Sequence, residues 1–470
     1  MSVKNQHPDY KKMASKWERC RATVEGQDAV HDKGSTFLPM LKDQTAEDYK
    51  AYKLRALFYN AVWRTVEGIG GMLFRKPPVV DVAASITELL EDVTLAGVSF
   101  QVFLQQIVLD VLSVGRMGVL VDYPTQIVEG ATVAEVQSLN LRPTMQMYPT
   151  ETIINWRTER VNNQYSLTLV VVTEQHSELK DQYEQITETR YRVLDLINGI
   201  YRQRVFRVED GKEDEQIGPD IFPLMNGTPL DFIPFIFLGT DDTTATVNEP
   251  PLIDLVDVNL AHYRLNADYF HGLHFTGLPT AVVSGYTPEN PGDKLYIGSS
   301  SAWVFPDPQA KAAYLEYTGQ GLAAIEKALE KLEQYMAILG ARLLSSEKKM
   351  TETAQTAQIH RAGESSILSA IAQTISIGMT RALQIFCDWA GAATEASVEL
   401  NRDFLPVDMT PQELTALVSA WQSGAMSHES LFDQLQQREV VKSDLTFEEE
   451  QARIAANPPL SAGAQEPNVG

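Results

Sequence analysis

The N-terminal part of the chain carries hydrophobic residues at helical spacing. In YKAYKLRALFYNAVWRTVEGIGGML they recur every three or four positions, which predicts helix. We therefore expect residues 8–72 to be helical, up to Pro77 and Pro78, which cannot continue a helix. A second apolar run predicts a helix over about 85–115, and GVLVDYP after it predicts a short buried strand.

Residues 145–240 change to the pattern typical of strands. SLTLVVVTE, TRYRVLDLI, GIYRQRVFRVED and DFIPFIFLG are short and rich in β-branched and aromatic residues. Asn-Gly at 198–199 and Asp-Gly at 210–211 predict hairpin turns between strands. Acidic residues are interleaved with the arginines of this segment, which favours a solvated sheet face over nucleic-acid binding. The sequence therefore predicts a β-rich module here.

Helical spacing returns after residue 250. PPLIDLVDVNLAHYRLNADYFHGLHF predicts a helix over 250–275, and a segment rich in Gly, Pro and Ser follows, with strand-like pieces TAVVSG and AWVF. The next helix carries hydrophobic residues at alternating spacings of three and four, which is the pattern of a coiled-coil seam. These residues are Leu322, Ile325, Leu329, Leu332, Met336, Leu339 and Leu343.

The C-terminal part predicts further helices. Residues 353–395 read as one helix of about 60 Å at about 1.5 Å per residue. A strand follows in ASVELNRDF, then helices over 411–456, the second beginning at Ser427. The polar tail 457–470 is typical of disorder. The fold class expected from the whole pattern is mixed α+β, predominantly helical.

The amino-acid composition argues against some classes of function. Lys plus Arg number 39 and Asp plus Glu 62 among 470 residues, for a formal net charge of −23. A surface this acidic lacks the basic footprint of a nucleic-acid reader. The most apolar window, 102–121, is interrupted by polar residues, and the polar N-terminus does not resemble a signal peptide. We expect a protein without a membrane segment, made in the cytoplasm, with Cys20 and Cys387 as buried, inert thiols.

Known catalytic and metal-binding patterns are missing from the sequence. It contains no Walker A, HExxH or GxSxG pattern. His262, His271 and His274 share one helix without further metal ligands, so a helix-packing role is favoured. Asp241 and Asp242 lie in a Thr-rich segment and are expected in a solvated turn. We therefore predict no catalytic residue, no metal site, no cofactor and no enzyme activity.

The order of elements resembles that of the portal proteins of tailed bacteriophages. Particular stretches are similar to one portal-related phage family known only as a domain of unknown function. They are HPDYKKMASKWERCRATVEGQDAV, TFLPML, IGGMLFRKPP, PPLIDLVDVNLAHYR, YLEYTGQGLAAIEKALEKLEQYMAILGARLL and TETAQTAQIHRAGESSILSAIA. The resemblance spans about residues 7–455 and is strongest over 250–375.

This resemblance implies a ring-forming subunit with named parts. They are a wing (1–250), two stem helices (251–275 and 319–344), a clip (276–318), a tunnel loop (345–352), a wing helix and strand (353–410) and a crown (411–456). It implies a twelve-fold ring, assembled in the host cytoplasm, at one vertex of the virion capsid. It also implies, as partners, the terminase large subunit, a head–tail adaptor, the major capsid or scaffold protein, and double-stranded DNA passing without sequence preference.

The resemblance also assigns roles to residues. Lys348, Lys349, Arg342 and Lys331 would face DNA in the channel, where contacts with phosphates are independent of sequence. The heptad stripe from Leu322 to Leu343 would pack between neighbouring subunits. Without the resemblance, the same stripe favours a helical hairpin within one chain.

Three alternatives remain open on the sequence. The first is another head or adaptor protein of the virion. The second is a hydrolase with an unrecognised site on the module at 145–240. The third is a cytosolic scaffold with an intramolecular coiled coil.

Overall fold

A computed structural model describes most of the chain. The described residues are 2–124, 139–161, 163–209, 211–277, 280–285, 309–315, 321–341, 367–392, 395–402, 404, 411–437, 440–441 and 445–456. The chain forms two compact units. The first consists of Met1–Ser345 and Ser366–Asn401, and the second of Ser346–Ser365 and Arg402–Gly470.

The N-terminal region is helical, but it is divided into four helices instead of running on from 8 to 72 as predicted. They are α1 (Pro8–Glu25), α2 (Gln27–Asp32), α3 (Ala46–Arg55) and α4 (Ala61–Leu73). Thr45 accepts a hydrogen bond from Asp48 N, and Asn60 accepts one from Trp63 N. These side chains cap α3 and α4 by pairing backbone N–H groups that lack partners within the helix.

The predicted helix over 85–115 is also divided. Strand β1 (Val79–Asp81) leads into a short helix α5 (Ala84–Thr87), and α6 spans Phe100–Val114. Ser99 caps α6 by accepting from Val102 N. Gly115 ends it at φ 83°, a left-handed conformation that a residue without Cβ adopts freely.

Ten strands follow in the described residues; eight form two main sheets, and β9 pairs with β10 separately. In the first, the order is β11-β2-β3; in the second, β4 to β8 lie side by side in sequence order. Asn198 and Gly199 have φ values of 52° and 78° in the β6–β7 turn, as the Asn-Gly pair predicts. All four predicted strands of the module are present. The strands β2 to β11 are Arg116–Asp122, Thr144–Pro149, Ile153–Val161, Gln164–Leu179, Gln185–Ile197, Ile200–Arg207, Glu215–Ile221, Leu224–Met225, Thr228–Pro229 and Phe235–Gly239.

Three long helices lie in the described remainder of the first unit. They are α7 (Ile253–Gly277), α8 (Leu322–Ala341) and α9 (Ile367–Trp389). Between α7 and α8, strands β12 (Thr280–Ser284) and β13 (Lys311–Leu315) pair antiparallel, and β14 (Ser397–Glu399) pairs with β1.

Helix α9 ends earlier than predicted. It stops at Trp389, before Gly391 at φ 77°, and not at residue 395. It packs against the first sheet, where Gly378 lies against Leu238 so closely that an added Cβ would come within 2.2 Å of Leu238 Cδ2. Several predictions fall outside the described residues, namely the start of this helix at 353–366, the tunnel loop, AWVF and the tail 457–470.

The second unit contains three described helices within the range 411–456, where helices were predicted. They are α10 (Pro411–Gln422), α11 (His428–Gln437) and α12 (Phe447–Ala456). Ser427 accepts from Ser430 N and begins α11 as predicted. Thr446 and Glu449 form a reciprocal capping box at α12. The rings of Phe432 and Phe447 pack 5.6 Å apart.

Two further sequence predictions can be compared with the described residues. Cys20 and Cys387 are both buried, and burial raises their pKa to about 12 and about 11 respectively. Neither thiol is therefore ionised near neutral pH. The described part of the chain has no helix that is both long and apolar enough to cross a membrane.

Candidate functional site

The centre of the candidate site is an antiparallel pair of helices, α7 and α8. His262 Nε2 lies 3.4 Å from Glu333 Oε1, and Gly272 lies against Leu322. Residue numbers therefore fall along α7 as they rise along α8. At about 1.5 Å per residue, α7 extends over about 37 Å. The β12–β13 ribbon lies at the end of the pair where α7 stops and α8 begins.

Part of the heptad stripe of α8 is buried within a single chain. Leu329 and Met336 are only 7% and 3% exposed in a single copy. They are therefore already buried within one chain, and their packing between subunits stays a prediction. The remaining described members are half-buried, so their packing between subunits stays a prediction. They are Leu322, Ile325, Leu332 and Leu339; Leu343 lies outside the described residues.

The opposite face of α8 is open. Tyr335 and Ile338 are exposed there, and the ammonium of Lys331 lies 5.5 Å from the centroid of the Tyr335 ring. Lys331 is thus solvent-exposed in a single copy, and its contact with DNA stays a prediction. The other three predicted DNA contacts, Arg342, Lys348 and Lys349, lie outside the described residues.

Helix α7 is held by polar contacts to the segment between α3 and α4. Asn266 Oδ1 accepts from Leu57 N at 3.1 Å, and Asn259 Nδ2 donates to Tyr59 O at 2.8 Å. Gln27 Oε1 accepts from Phe58 N. The helical hydrogen bonds are interrupted here, and these side-chain amides supply partners for the partly buried backbone groups. From the sequence, Asn259 and Asn266 stand out as polar residues within an apolar helix. The sequence does not show that they bond to the backbone of Leu57 and Tyr59.

Further contacts along α7 join it to the N-terminal helices. The Tyr52 hydroxyl donates to Asp268 Oδ1 at 2.6 Å, and burial followed by this hydrogen bond raises the pKa of Tyr52. Arg264 Nε donates to Phe37 O at 2.8 Å, and Arg19 pairs with Asp257 at 3.3 Å. Because these contacts are spread along its length, α7 is fixed in rotation as well as position.

The three histidines of α7 serve separate contacts. His262 is buried beside Glu333 and Tyr59, and burial lowers its pKa. His271 packs edge-on against Tyr52 and Phe275, while His274 Nε2 lies 3.1 Å from Arg55 Nη2. Within the described residues, no group of three or more His, Cys, Asp or Glu side chains is placed to hold a metal.

A cavity of about 280 Å³ lies at the other end of the helix pair. Leu339, near the end of α8, and Ile367, the first residue of α9, both line it. Segment 342–366, which contains the predicted tunnel loop, thus lies in sequence between two described helices whose residues line one cavity. Asp241 also lines the cavity, while Asp242 accepts from Thr244 N at 2.7 Å, as expected of a turn.

The arginines of the large sheet are paired with acids. Arg202 contacts Asp195 at 2.8 Å and Asp220 at 2.8 Å. Arg190 lies 2.6 Å from Glu178 and 2.5 Å from Glu188. This pairing agrees with the predicted solvated sheet face, because guanidinium groups already held by carboxylates are less available to phosphates.

A buried polar network between the two sheets was not predicted. Arg192 forms a two-point ion pair with Glu174 at 2.8 and 3.2 Å, and Glu174 also accepts from the Tyr148 hydroxyl at 2.5 Å. Asp122 accepts from Gln203 Nε2 at 2.8 Å, and burial raises its pKa while Arg192 opposes that shift. These residues are far apart in sequence, so only the fold brings them together.

Arg116 was also missed, because it begins a strand that reads as wholly apolar. Its guanidinium lies 4.3 Å from the Trp156 ring and 4.1 Å from the Phe237 ring, and it donates to Ala245 O at 3.1 Å. Burial lowers its pKa to about 9, and the two aromatic faces favour the charged form. Arg116 thus joins β2, β4 and β11.

The described fold is that of a mixed helix-and-sheet protein. Residues 251–390 match the model of a protein family described as a domain of unknown function, DUF4055. The match includes both helices of the pair, the β12–β13 ribbon and α9. It covers less than half of the chain. No curated protein matches the sequence.

Solved structures with some likeness come from gene transfer agent (GTA) particles. A chain from the virion of a native GTA particle is 10% identical, with a TM-score of 0.38 over 92% of this chain and 99% of that one. A chain from the neck of an empty GTA particle, computed with C6 symmetry, is 9% identical, with a TM-score of 0.35 over 88% and 95%. A chain from the neck of a native particle, computed with C12 symmetry, is 9% identical, with a TM-score of 0.37 over 80% and 89%.

Proposed function

We propose that this chain is a structural subunit of a phage-like virion and, more specifically, its portal protein. The observation that supports this proposal best is the arrangement of α7 and α8. They are antiparallel, are joined through a small β ribbon, and meet α9 at the far end. This is the order of stem, clip, stem and wing that the portal resemblance implies. The DUF4055 match covers the same part of the chain.

In this proposal the ring is a passage. Copies of the α7–α8 pair surround a channel, and the segment after α8 points toward its axis. Lys348, Lys349, Arg342 and Lys331 present positive charge to passing phosphates, while the net charge of −23 on each chain keeps DNA from binding tightly.

The ring would act through its partners and without chemistry of its own. The terminase large subunit would drive DNA through it, and a head–tail adaptor would attach after packaging. The major capsid or scaffold protein would place it at one capsid vertex. Residues 276–318 would meet the terminase and adaptor, and 411–456 would face the capsid interior.

Native mass spectrometry of the purified chain tests this proposal, with negative-stain images of the same sample. We expect closed rings of about twelve copies with a central hole. A chain that stays monomeric alone and also with capsid and scaffold proteins would overturn the portal proposal. A closed oligomer without a central hole would favour another head or adaptor protein.

A further inference from the structure

Three of the eight histidines of the chain lie on α7, and their surroundings fit neutral imidazole. A protonated imidazole donates from both ring nitrogens, whereas a neutral one has one donor and one acceptor. At each of these histidines, one ring nitrogen either already accepts a hydrogen bond or has no described acceptor to which it could donate. Added protons would therefore find no suitable hydrogen bonds along α7.

His274 accepts its hydrogen bond from a cation. Its Nε2 lies 3.1 Å from Arg55 Nη2 on α3. A guanidinium only donates hydrogen bonds, so His274 Nε2 must be the unprotonated nitrogen of the ring. Protonation would replace this bond by two cations in contact between α3 and α7.

His271 lies one turn earlier on the same side of α7. Its ring packs edge-on against Tyr52, and its Nδ1 is buried without a hydrogen-bond partner among the described residues. Burial lowers the pKa of His271, and two nearby bases lower it further, while two carboxylates oppose the shift. The bases are Arg55 and His274, and the carboxylates are Asp268 and Asp48.

The two carboxylates near His271 already hold other hydrogen bonds. Asp268 accepts from the Tyr52 hydroxyl at 2.6 Å, and Asp48 accepts from the Thr45 hydroxyl at 2.7 Å. Both residues are also exposed, so solvent weakens their attraction for a charge on the imidazole. They therefore compensate only in part for protonation of His271.

His262 lies between α7 and α8. Its Nε2 faces Glu333 Oε1 at 3.4 Å, while its Nδ1 is buried and has no partner in the described part of the chain. Burial lowers the pKa of His262, although Glu333 opposes the shift from a largely exposed position. The other nearby charge is that of Arg64, which lies over the Tyr59 ring beside His262.

The direction of the pH dependence follows from these shifts. Burial lowers the pKa of His262 and His271 below the ordinary value of 6.5. A state in which α7 has come away from its neighbours therefore binds more protons than the closed state. The closed state has its full stability above about pH 6.5 and loses stability as the pH falls below that value.

We propose that the three histidines of α7 form an acid-sensitive switch that loosens α7 from α3 and α8. Near neutral pH the imidazoles are neutral and the helix is held. In acid, charge enters all three sites and these contacts weaken together. The β12–β13 ribbon follows α7 in the chain and would change position with it. The proposal concerns a single chain and does not rest on the portal function.

The rest of the first unit is less exposed to the same effect. Among the described residues in the strands of the two main sheets, the only histidine is His176. Its ring is partly exposed and faces Glu178 at 3.3 Å, where a positive charge is tolerated. We therefore expect α7 to loosen while the sheets remain folded.

Thiol labelling of the full chain tests the switch. Ala267→Cys places a thiol on the buried face of α7, one turn before His271, and Leu54→Cys places a reference thiol on the exposed face of α3. A dipyridyl disulfide reacts with thiols in acid as well as at neutral pH. From about pH 7.5 to about pH 5, we expect labelling of Ala267→Cys relative to Leu54→Cys to rise at least about tenfold. Continued protection of Ala267→Cys in acid would overturn the proposal.

Cys387 distinguishes a local change from unfolding. It is buried in α9 and takes no part in the histidine contacts. Peptide mass spectrometry reads each thiol separately, and we expect Cys387 to stay unlabelled in acid. Labelling of Cys387 in parallel with Ala267→Cys would mean that the whole unit unfolds, which would also overturn the switch.

A triple variant removes the titrating groups and keeps their neutral contacts. His262→Gln can still donate to Glu333. His274→Gln can still accept from Arg55. His271→Phe keeps an aromatic ring at its position. In this background, Ala267→Cys should remain protected in acid, and acid labelling as strong as in the parent would contradict the assignment to these histidines.

His176→Gln is the matched control, because it removes a partly exposed histidine away from α7. The acid labelling of Ala267→Cys should be unchanged by it. Loss of the response in this variant would place the switch elsewhere.

Imidazole NMR of the unaltered chain provides a test that does not depend on the triple variant folding. We expect the signals of His262 and His271 to titrate below 6.5. Midpoints at or above that value would overturn the proposal. Rings that form from a chain showing neither the labelling nor the titration change would leave the portal proposal standing and remove the switch.

Discussion

At the scale of single residues, the buried network between the sheets shows that two acidic side chains near one arginine can have different roles. Glu174 and Asp122 are both acidic and both close to Arg192, yet they hold it differently. Glu174 meets the guanidinium at two points, whereas Asp122 Oδ2 stays 3.9 Å from Arg192 Nη1 and bonds mainly to Gln203 and Tyr123 N. Glu174 is therefore the principal counter-charge.

We expect Glu174→Gln to lower the free energy of unfolding by about 3 kcal/mol, because it leaves the Arg192 guanidinium without its main partner in a largely buried site. Asp122→Asn should cost less than about 1 kcal/mol, since the amide oxygen still accepts the same hydrogen bonds and a costly buried charge disappears. Urea unfolding of both variants measures the difference. Equal losses would mean that Asp122 carries as much of the charge pairing as Glu174.

At the scale of elements, strands were predicted better than helix boundaries. Alternating patterns and the Asn-Gly turn identified β5, β6 and β7 because these signals are local. The interruption between α3 and α4 has no Pro or Gly, and its apolar spacing continues across it. It depends on Asn259 and Asn266, about two hundred positions later, which pair its backbone. A local pattern cannot contain a partner that only the tertiary fold supplies.

The same dependence gives a prediction. Asn266→Ala removes the acceptor that Leu57 N uses in a part-buried site, so we expect a loss of about 1 kcal/mol in the free energy of unfolding. Gln334→Ala, on the exposed face of α8, is the control and should change stability by less than about 0.5 kcal/mol. Thermal unfolding of both variants measures this. A change for Asn266→Ala as small as the control's would show that water replaces the amide.

The helix pair shows a second limit of local pattern. The heptad stripe correctly predicted a helix with an apolar face, and the structure buries Leu329 and Met336 within one chain. The spacing of apolar residues does not show whether the helix that packs against them belongs to the same chain or to another copy. It therefore could not decide between a hairpin and a subunit contact. The candidate DNA contacts have the same limit, because the direction of Lys331 in an assembly depends on helix packing between copies.

At the scale of the whole molecule, the loop after α8 can be tested through its charge. Lys348→Ala with Lys349→Ala should leave ring assembly intact and change DNA packaging or retention, because it removes two positive charges per copy from the channel. Lys11→Ala with Lys12→Ala, two adjacent exposed lysines on α1, is the matched control. A packaging assay with the purified motor compares them. Unchanged packaging would argue against a DNA role for this loop, and loss of the ring would place it at a subunit contact.

Net charge gives a further prediction about assembly. Copies of an acidic chain repel each other, and added salt screens this repulsion over about 10 Å at 0.1 M. We therefore expect association between copies to strengthen as salt rises from about 0.05 to about 0.3 M. Sedimentation velocity across this range measures it. Weaker association at higher salt would mean that ion pairs, and not apolar contacts, join the copies.

The meeting of α8 and α9 at one cavity has a consequence for protein engineering. Leu339 and Ile367 line the same cavity, so the described parts of α8 and α9 come close together there. The entropy of closing a flexible loop grows only with the logarithm of its length, by about 0.6 kcal/mol for each doubling. A flexible tag inserted between α8 and α9 should therefore reduce the stability of the first unit very little, and urea unfolding of the tagged chain measures this.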